Sequence, residues 1–203
     1  DVCSSDLIYI VRTVVSVAVQ GVSDGSGMQY VKEWAAMFKN PMMWLNIAAL
    51  PINYFFVFIA FFGEEYGWRY YLQPVLQKRF GLREGVIILG VVWGLWHIPD
   101  DLFYYTQTSG IQMIFAQQIT CISLGIFFAY AYMKTQNIWV PVCLHYLNNN
   151  LIPIISGTFS ADVLENQTVS WKDLPVALVL NGLCFGFFLL ADVFKKKEVQ
   201  DRK

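Results

Sequence analysis

Val57-Phe58-Ile59-Ala60-Phe61-Phe62-Gly63-Glu64-Glu65-Tyr66-Gly67-Trp68-Arg69-Tyr70-Tyr71 is the stretch whose reading decides the fold. It closes an apolar run that opens at Pro41 and passes straight into three charges among aromatic residues. A charged side chain at the centre of a membrane helix costs about 2.5–3.5 kcal/mol on insertion scales. Glu64, Glu65 and Arg69 therefore need partners if this run lies in a bilayer. One pairing is local: Glu65 and Arg69 are four residues apart, on one face of a helix.

Outward from this stretch the chain keeps the same character. A spanning helix needs roughly 20 mostly apolar residues. The run 42–62 continues to residue 80, and further apolar segments cover 85–98, 111–133, 138–155 and 174–194, with a shorter one at 7–22 that carries Arg12. The sequence predicts an all-α protein, a multi-pass transmembrane helical bundle of about six to seven hydrophobic helices. Composition agrees: 56% of the 203 residues are hydrophobic and 14% charged, against roughly 45–50% and 25% in soluble domains. Such a chain has too little polar surface to cover a globule in water.

Residues 1–40 are expected to hold a non-native start, part of a membrane span and a loop. Residues 41–194 form the expected core, and 195–203 a basic cytoplasmic tail. The first residues, Asp1 to Leu7, read like translated adapter sequence, and a span upstream is expected to be missing. Lys78, Arg79 and Arg83 share one loop, Lys134 lies in another, and Lys195, Lys196, Lys197, Arg202 and Lys203 end the chain. The intervening loops hold Asp100, Asp101, Asp162 and Glu165 with only Lys172. The positive-inside rule places the basic set, and the C-terminus with it, in the cytoplasm, with the chain integral to a membrane. Lys32 and Lys39 fit this pattern less well. The net charge is −1 and no basic stripe points to nucleic acid, so no nucleic-acid partner is expected. The partners expected are membrane lipid and a peptide or protein substrate. Cys3, Cys121, Cys143 and Cys184 show no CxxC spacing and read as small apolar residues.

His97 and His145 are the two histidines, and both fall in apolar runs. His145 shares a helix face with Asn149, whereas Asn148 and Asn150 fall off that face. Glu64, His97 and His145 lie fourteen, fourteen and eleven residues from Lys78, Arg83 and Lys134. At about 1.5 Å per residue, they reach roughly 21, 21 and 16 Å from one side of the membrane. A carboxylate, two imidazoles and an amide at one depth suit amide hydrolysis by activated water. The Glu would be general base and the His beside it would orient the water. A second His and an Asn amide would donate to a developing oxyanion. The alternative is metal-assisted: Glu64, His97 and His145 would ligate a divalent metal such as zinc. No HExxH, GxGD or GxSxG motif is present.

These residues resemble the CPBP (CAAX protease and bacteriocin-processing) family of intramembrane proteases. Its EExxxR motif reads Glu64-Glu65-Tyr66-Gly67-Trp68-Arg69, its FxxxH motif Trp93-Gly94-Leu95-Trp96-His97, and its HxxxN motif His145-Tyr146-Leu147-Asn148-Asn149. The departure is Trp93, where the motif carries Phe. The resemblance implies a catalytic Glu64 acting with His97, an oxyanion-stabilising pair in His145 and Asn149, and an Arg69 that holds Glu65. It implies a glutamate-type endopeptidase of a family formerly called metalloproteases, with no firm cofactor. The short form resembles the bacterial members, which implies a place in the bacterial cytoplasmic membrane and a role in peptide processing or bacteriocin self-immunity. Two other readings use the same residues: a non-catalytic immunity or binding protein on this scaffold, and a small proton-coupled transporter.

Overall fold

The structure, a computed structural model, describes residues 32, 35–156 and 165–195. The segment 7–22, Cys3, Arg12, Asp162 and the tail beyond Lys195 lie outside the described residues. Among the described residues there are helices and no strand. Among the described residues, three helical stretches are long and apolar enough to cross a membrane: Pro41–Phe80, Leu82–Phe103 and Gly110–Thr135.

The first starts where Asn40 caps it, its side-chain oxygen accepting from the Met42 amide at 2.9 Å, with Pro41 in the first turn. Helix α1 (Pro41–Glu65) passes into π-helical turns at Tyr66–Leu72 and then into α2 (Gln73–Phe80). Its lipid face is plain: Phe55, Phe56 and Ile59 are 70–80% exposed, an arrangement that only a bilayer solvates cheaply. A 40-residue helix measures about 60 Å, more than the roughly 30 Å hydrocarbon core, so its ends reach beyond it or it tilts.

Gly81, at φ +106°, makes the turn into α3 (Leu82–Trp96), which needs a residue free of Cβ there. His97 joins α3 to the short α4 (Ile98–Phe103). Helix α5 (Gly110–Thr135) is the spine of the bundle, packed on α3, on α4 and on the helices that follow. Gly90 makes the α3–α5 approach close, since a Cβ there would lie 2.6 Å from the Ile122 Cα. The core between these helices holds Trp93, Leu124, Phe127, Phe128, Leu144 and Phe185.

Helix α6 (Trp139–Ser156) runs back along α1 and contains Pro153. Tyr146 fastens the two: its hydroxyl donates to the Leu50 carbonyl at 2.7 Å and accepts from the Asn53 amide at 3.1 Å. The last apolar segment departs from expectation. Helix α7 (Asp173–Cys184) stops well before residue 194, and 3-10 turns at Gly186–Leu190 and Asp192–Phe194 follow. Packing accounts for the break: Phe185 is fully buried, and Phe188 lies 4.9 Å from the Phe127 ring and 4.7 Å from the Tyr130 ring. Those contacts outweigh the helix preference of the segment, which Gly182 and Gly186 weaken.

The basic residues gather at one end. Arg83 and Lys195 line one surface cavity. The Gln77 amide reaches both the Leu82 carbonyl and the Met133 sulfur, so the Lys134 end of α5 lies against the Lys78–Arg83 turn.

Candidate active site

The EExxxR segment places its charges where the helix changes from α to π. Glu65 and Arg69 are both fully buried. Arg69 Nε donates to Glu65 Oε2 at 2.8 Å, so the pairing expected from their spacing is present. The guanidinium is also held over the Trp93 and Phe128 rings, 5.1 and 5.4 Å from their centroids. Its Nη1 reaches the Gly125 carbonyl at 3.5 Å.

Glu65 has a second partner from a remote part of the chain. His145 Nδ1 donates to Glu65 Oε1 at 3.0 Å. Phe61, Trp93 and Phe128 surround this imidazole, with ring centroids 5.2, 5.4 and 5.9 Å away. The result is a chain of charge-assisted bonds, Arg69 to Glu65 to His145, enclosed by aromatic side chains.

His97 sits at the end of α3, where the helix yields to Ile98-Pro99. Its Nδ1 donates to the Trp93 carbonyl at 2.9 Å, and Cys121 Sγ lies 3.8 Å from the same nitrogen. Since a carbonyl can only accept, Nδ1 carries the proton. In the neutral ring Nε2 is then an acceptor.

A chamber of about 390 Å³ joins these elements. His97, His145 and Asn149 all line it, together with Trp93, Cys121 and Leu124. The chamber therefore brings together three of the residues singled out in the sequence. Asn148 also lines it, although its helical position put it off the face of His145. Its amide donates to Asn149 Oδ1 at 2.9 Å and so fixes how Asn149 presents its own N–H groups. Tyr104, Tyr105, Gln117, Thr120 and Gln167 complete the polar wall. These were missed in the sequence because they stand at no fixed offset from any motif. Burial, and then the charges of Asp100 and Asp101, push the Tyr105 hydroxyl up, so it stays a protonated donor at the rim.

Glu64 lies next to Glu65 but outside the chamber lining. Its Oε2 is buried and has no hydrogen-bond partner, and no hydrogen bond joins it to His97. Among the described residues no three His, Cys, Asp or Glu side chains converge as a metal site. Glu64, outside the chamber lining, does not converge with His97 and His145 on a common ion site in this geometry.

Comparison with known proteins bears directly on this segment. The family model described as type II CAAX prenyl endopeptidase Rce1-like matches residues 46–151, which hold all three motifs. A CAAX prenyl protease 2 of Methanococcus maripaludis is 27% identical over 125 residues, covering 57% of this chain and 45% of that protein. The chain thus spans less than half the length of this curated relative. No solved structure matches.

Proposed function

Because the chain belongs to the CAAX protease (CPBP) family, through a segment matching the type II CAAX prenyl endopeptidase Rce1-like model over half its length, we propose that it is an intramembrane endopeptidase in which Glu64, with His97, activates a water. The observation that carries this reading is the convergence of His97, His145 and Asn149 on one chamber beside an unpartnered Glu64 carboxylate oxygen.

The peptide lies in the chamber with its scissile carbonyl toward Asn149. A side-chain rotation brings Glu64 to the water, which also donates to His97 Nε2. Glu64 takes a proton as the water oxygen bonds to the carbonyl carbon. The carbonyl electron pair moves onto oxygen, and the Asn149 amide donates to that oxyanion. His145, held by Glu65 at 3.0 Å, contributes from Nε2 in the form that carries both protons. The tetrahedral adduct collapses, the C–N bond breaks, and the proton on Glu64 passes to the leaving amine. Arg69 holds Glu65, and Glu65 in turn holds His145 in place.

The substrate we favour is a bacterial peptide or protein, cleaved during processing or bacteriocin self-immunity. The mixed chamber wall, polar at Gln117, Thr120 and Asn149 and apolar at Met113, Leu124 and Pro153, supports a peptide occupant. The relative's name refers to a CAAX prenyl protease. We further place the basic end, with Lys78, Arg79, Arg83, Lys134 and Lys195, at the cytoplasmic face.

Expression of the wild-type chain and of Glu64→Gln in bacterial membranes, followed by mass spectrometry of new peptide termini, tests the reading. Termini present with wild type and absent with Glu64→Gln are expected. Identical termini from two equally folded proteins would assign the scaffold to a non-catalytic binding or immunity role.

A further inference from the structure

A second cavity, of about 460 Å³, opens between α1 and α6. It meets the chamber at Asn149 and Pro153, which line both. Three more carboxamides stand in its wall, Asn46 and Asn53 from α1 and Asn150 from α6. Asn53 and Asn149 are exposed, and Asn46 and Asn150 half-buried, so an occupant can reach all four. Tyr146 accounts for part of the set. Its hydroxyl accepts from Asn53 Nδ2 at 3.1 Å, and its backbone carbonyl accepts from Asn150 Nδ2 at 2.9 Å. Both bonds use the amide nitrogen, so each side chain keeps its oxygen as an acceptor. Asn149 is the complement: its Oδ1 accepts from Asn148, and its own amide is left to donate. Its backbone carbonyl also lacks the usual helical donor, because Pro153, four residues on, carries no N–H.

Donors and acceptors are thus mixed, as they are along an extended peptide backbone. Asn46 and Asn53, seven residues apart on one face of α1, are separated by about 10 Å at ~1.5 Å per residue. An extended chain rises about 3.3 Å per residue, so this distance covers about three of its residues. Ala49, Leu50 and Ile154 supply apolar wall, and no charged residue lines the cavity.

We propose that this cavity is a substrate subsite, which takes an extended, uncharged stretch of about three residues beside the scissile bond and holds it by its main chain. This deepens the endopeptidase reading and rests on it. The scissile carbonyl lies toward Asn149 in the chamber, and the chain continues past Asn149 and Pro153 into the cavity. There its N–H groups meet the Asn53 and Asn150 oxygens, and its carbonyls meet the Asn46 amide. A lipid chain would fit against Leu50 and Ile154 but leave the amides unbonded. Recognition through the main chain tolerates many side chains. A charged one would find no counter-charge in a wall of amides and aliphatic groups. Charge on that side of the bond therefore decides which polypeptides are cut.

The test uses the full chain in membranes, with the Glu64-dependent termini identified and quantified by mass spectrometry. Two variants are compared with wild type, each at a residue that lines the cavity and not the chamber. Asn46→Asp adds one negative charge, and Ala49→Trp fills the space. Wild type is expected to cut where the adjoining residues on one side of the bond are uncharged. Asn46→Asp should enrich Lys or Arg within that window about tenfold, as one ion pair at an interface can. Ala49→Trp should abolish cleavage at the wild-type sites without moving the thermal unfolding midpoint. Should Ala49→Trp unfold, the change of window in Asn46→Asp decides alone. Wild-type sites and rates in both variants overturn the subsite and leave the cavity to lipid. Termini that persist in Glu64→Gln remove the endopeptidase reading instead, and the subsite with it.

Discussion

Glu65 is bound on both sides, by Arg69 and by His145, in a region without exposure to solvent. Burying such a group is tolerable only while both partners are present, because a lone buried charge is left uncompensated. Arg69→Met is therefore expected to destabilise the folded protein by about 3–5 kcal/mol, read as a lowered unfolding midpoint in detergent. The double variant Glu65→Gln, Arg69→Met should regain part of that stability, since no unpaired charge remains. It should not regain activity, because His145 loses the carboxylate that orients it. A fully active double variant would show that Glu65 serves only to neutralise Arg69. The Glu65–Arg69 contact was legible in the sequence, as two opposite charges one helical turn apart need no knowledge of the rest of the chain. The bond from His145 was not: its partner lies 80 residues away, and only the packing of α6 against α1 brings them together.

At the level of the elements, close helix approach depends on particular glycines. A Cβ at Gly90 would meet the backbone of Ile122 at 2.6 Å, whereas one at Gly63 would meet nothing within 4 Å. Gly90→Ala must push α3 away from α5 or shift both, at a cost of about 1–3 kcal/mol. Gly63→Ala in α1 fills open space and should stabilise by about 0.5–1 kcal/mol, through the lower backbone entropy of alanine in the unfolded chain. Thermal unfolding of the two variants side by side checks the contrast; equal midpoints would mean that the α3–α5 contact is looser than described. Hydrophobic length was enough to foresee α1, α3, α5 and α6 as helices near their observed limits. It failed at the last apolar segment, where the burial of Phe185 and the stacking of Phe188 on α5 break the helix after Cys184. It was also silent on the π-helical turns at Tyr66–Leu72. Those turns follow from no residue preference; they begin just after Glu65 and carry Arg69.

Across the whole molecule the chamber and the basic end are separated. Lys78, Arg79, Arg83, Lys134 and Lys195 lie at one end, whereas Tyr104, Tyr105 and Gln167 line the chamber from the other. With the positive-inside rule this predicts that a cysteine introduced at Lys134, in a chain otherwise without cysteine, reacts with an impermeant maleimide only from the cytoplasmic side. One introduced at Tyr104 should react from the opposite side. Reversed labelling would place the chamber mouth in the cytoplasm and set the charge rule aside for this chain. The account stands most directly on the chemistry of Glu64. The purified chain in liposomes, given membrane-extracted polypeptides in ¹⁸O-labelled water, is predicted to produce new carboxyl termini carrying the label, and Glu64→Gln to lower their rate about 10²–10⁴-fold, the contribution typical of a general base. Equal labelled termini from the two proteins would contradict it.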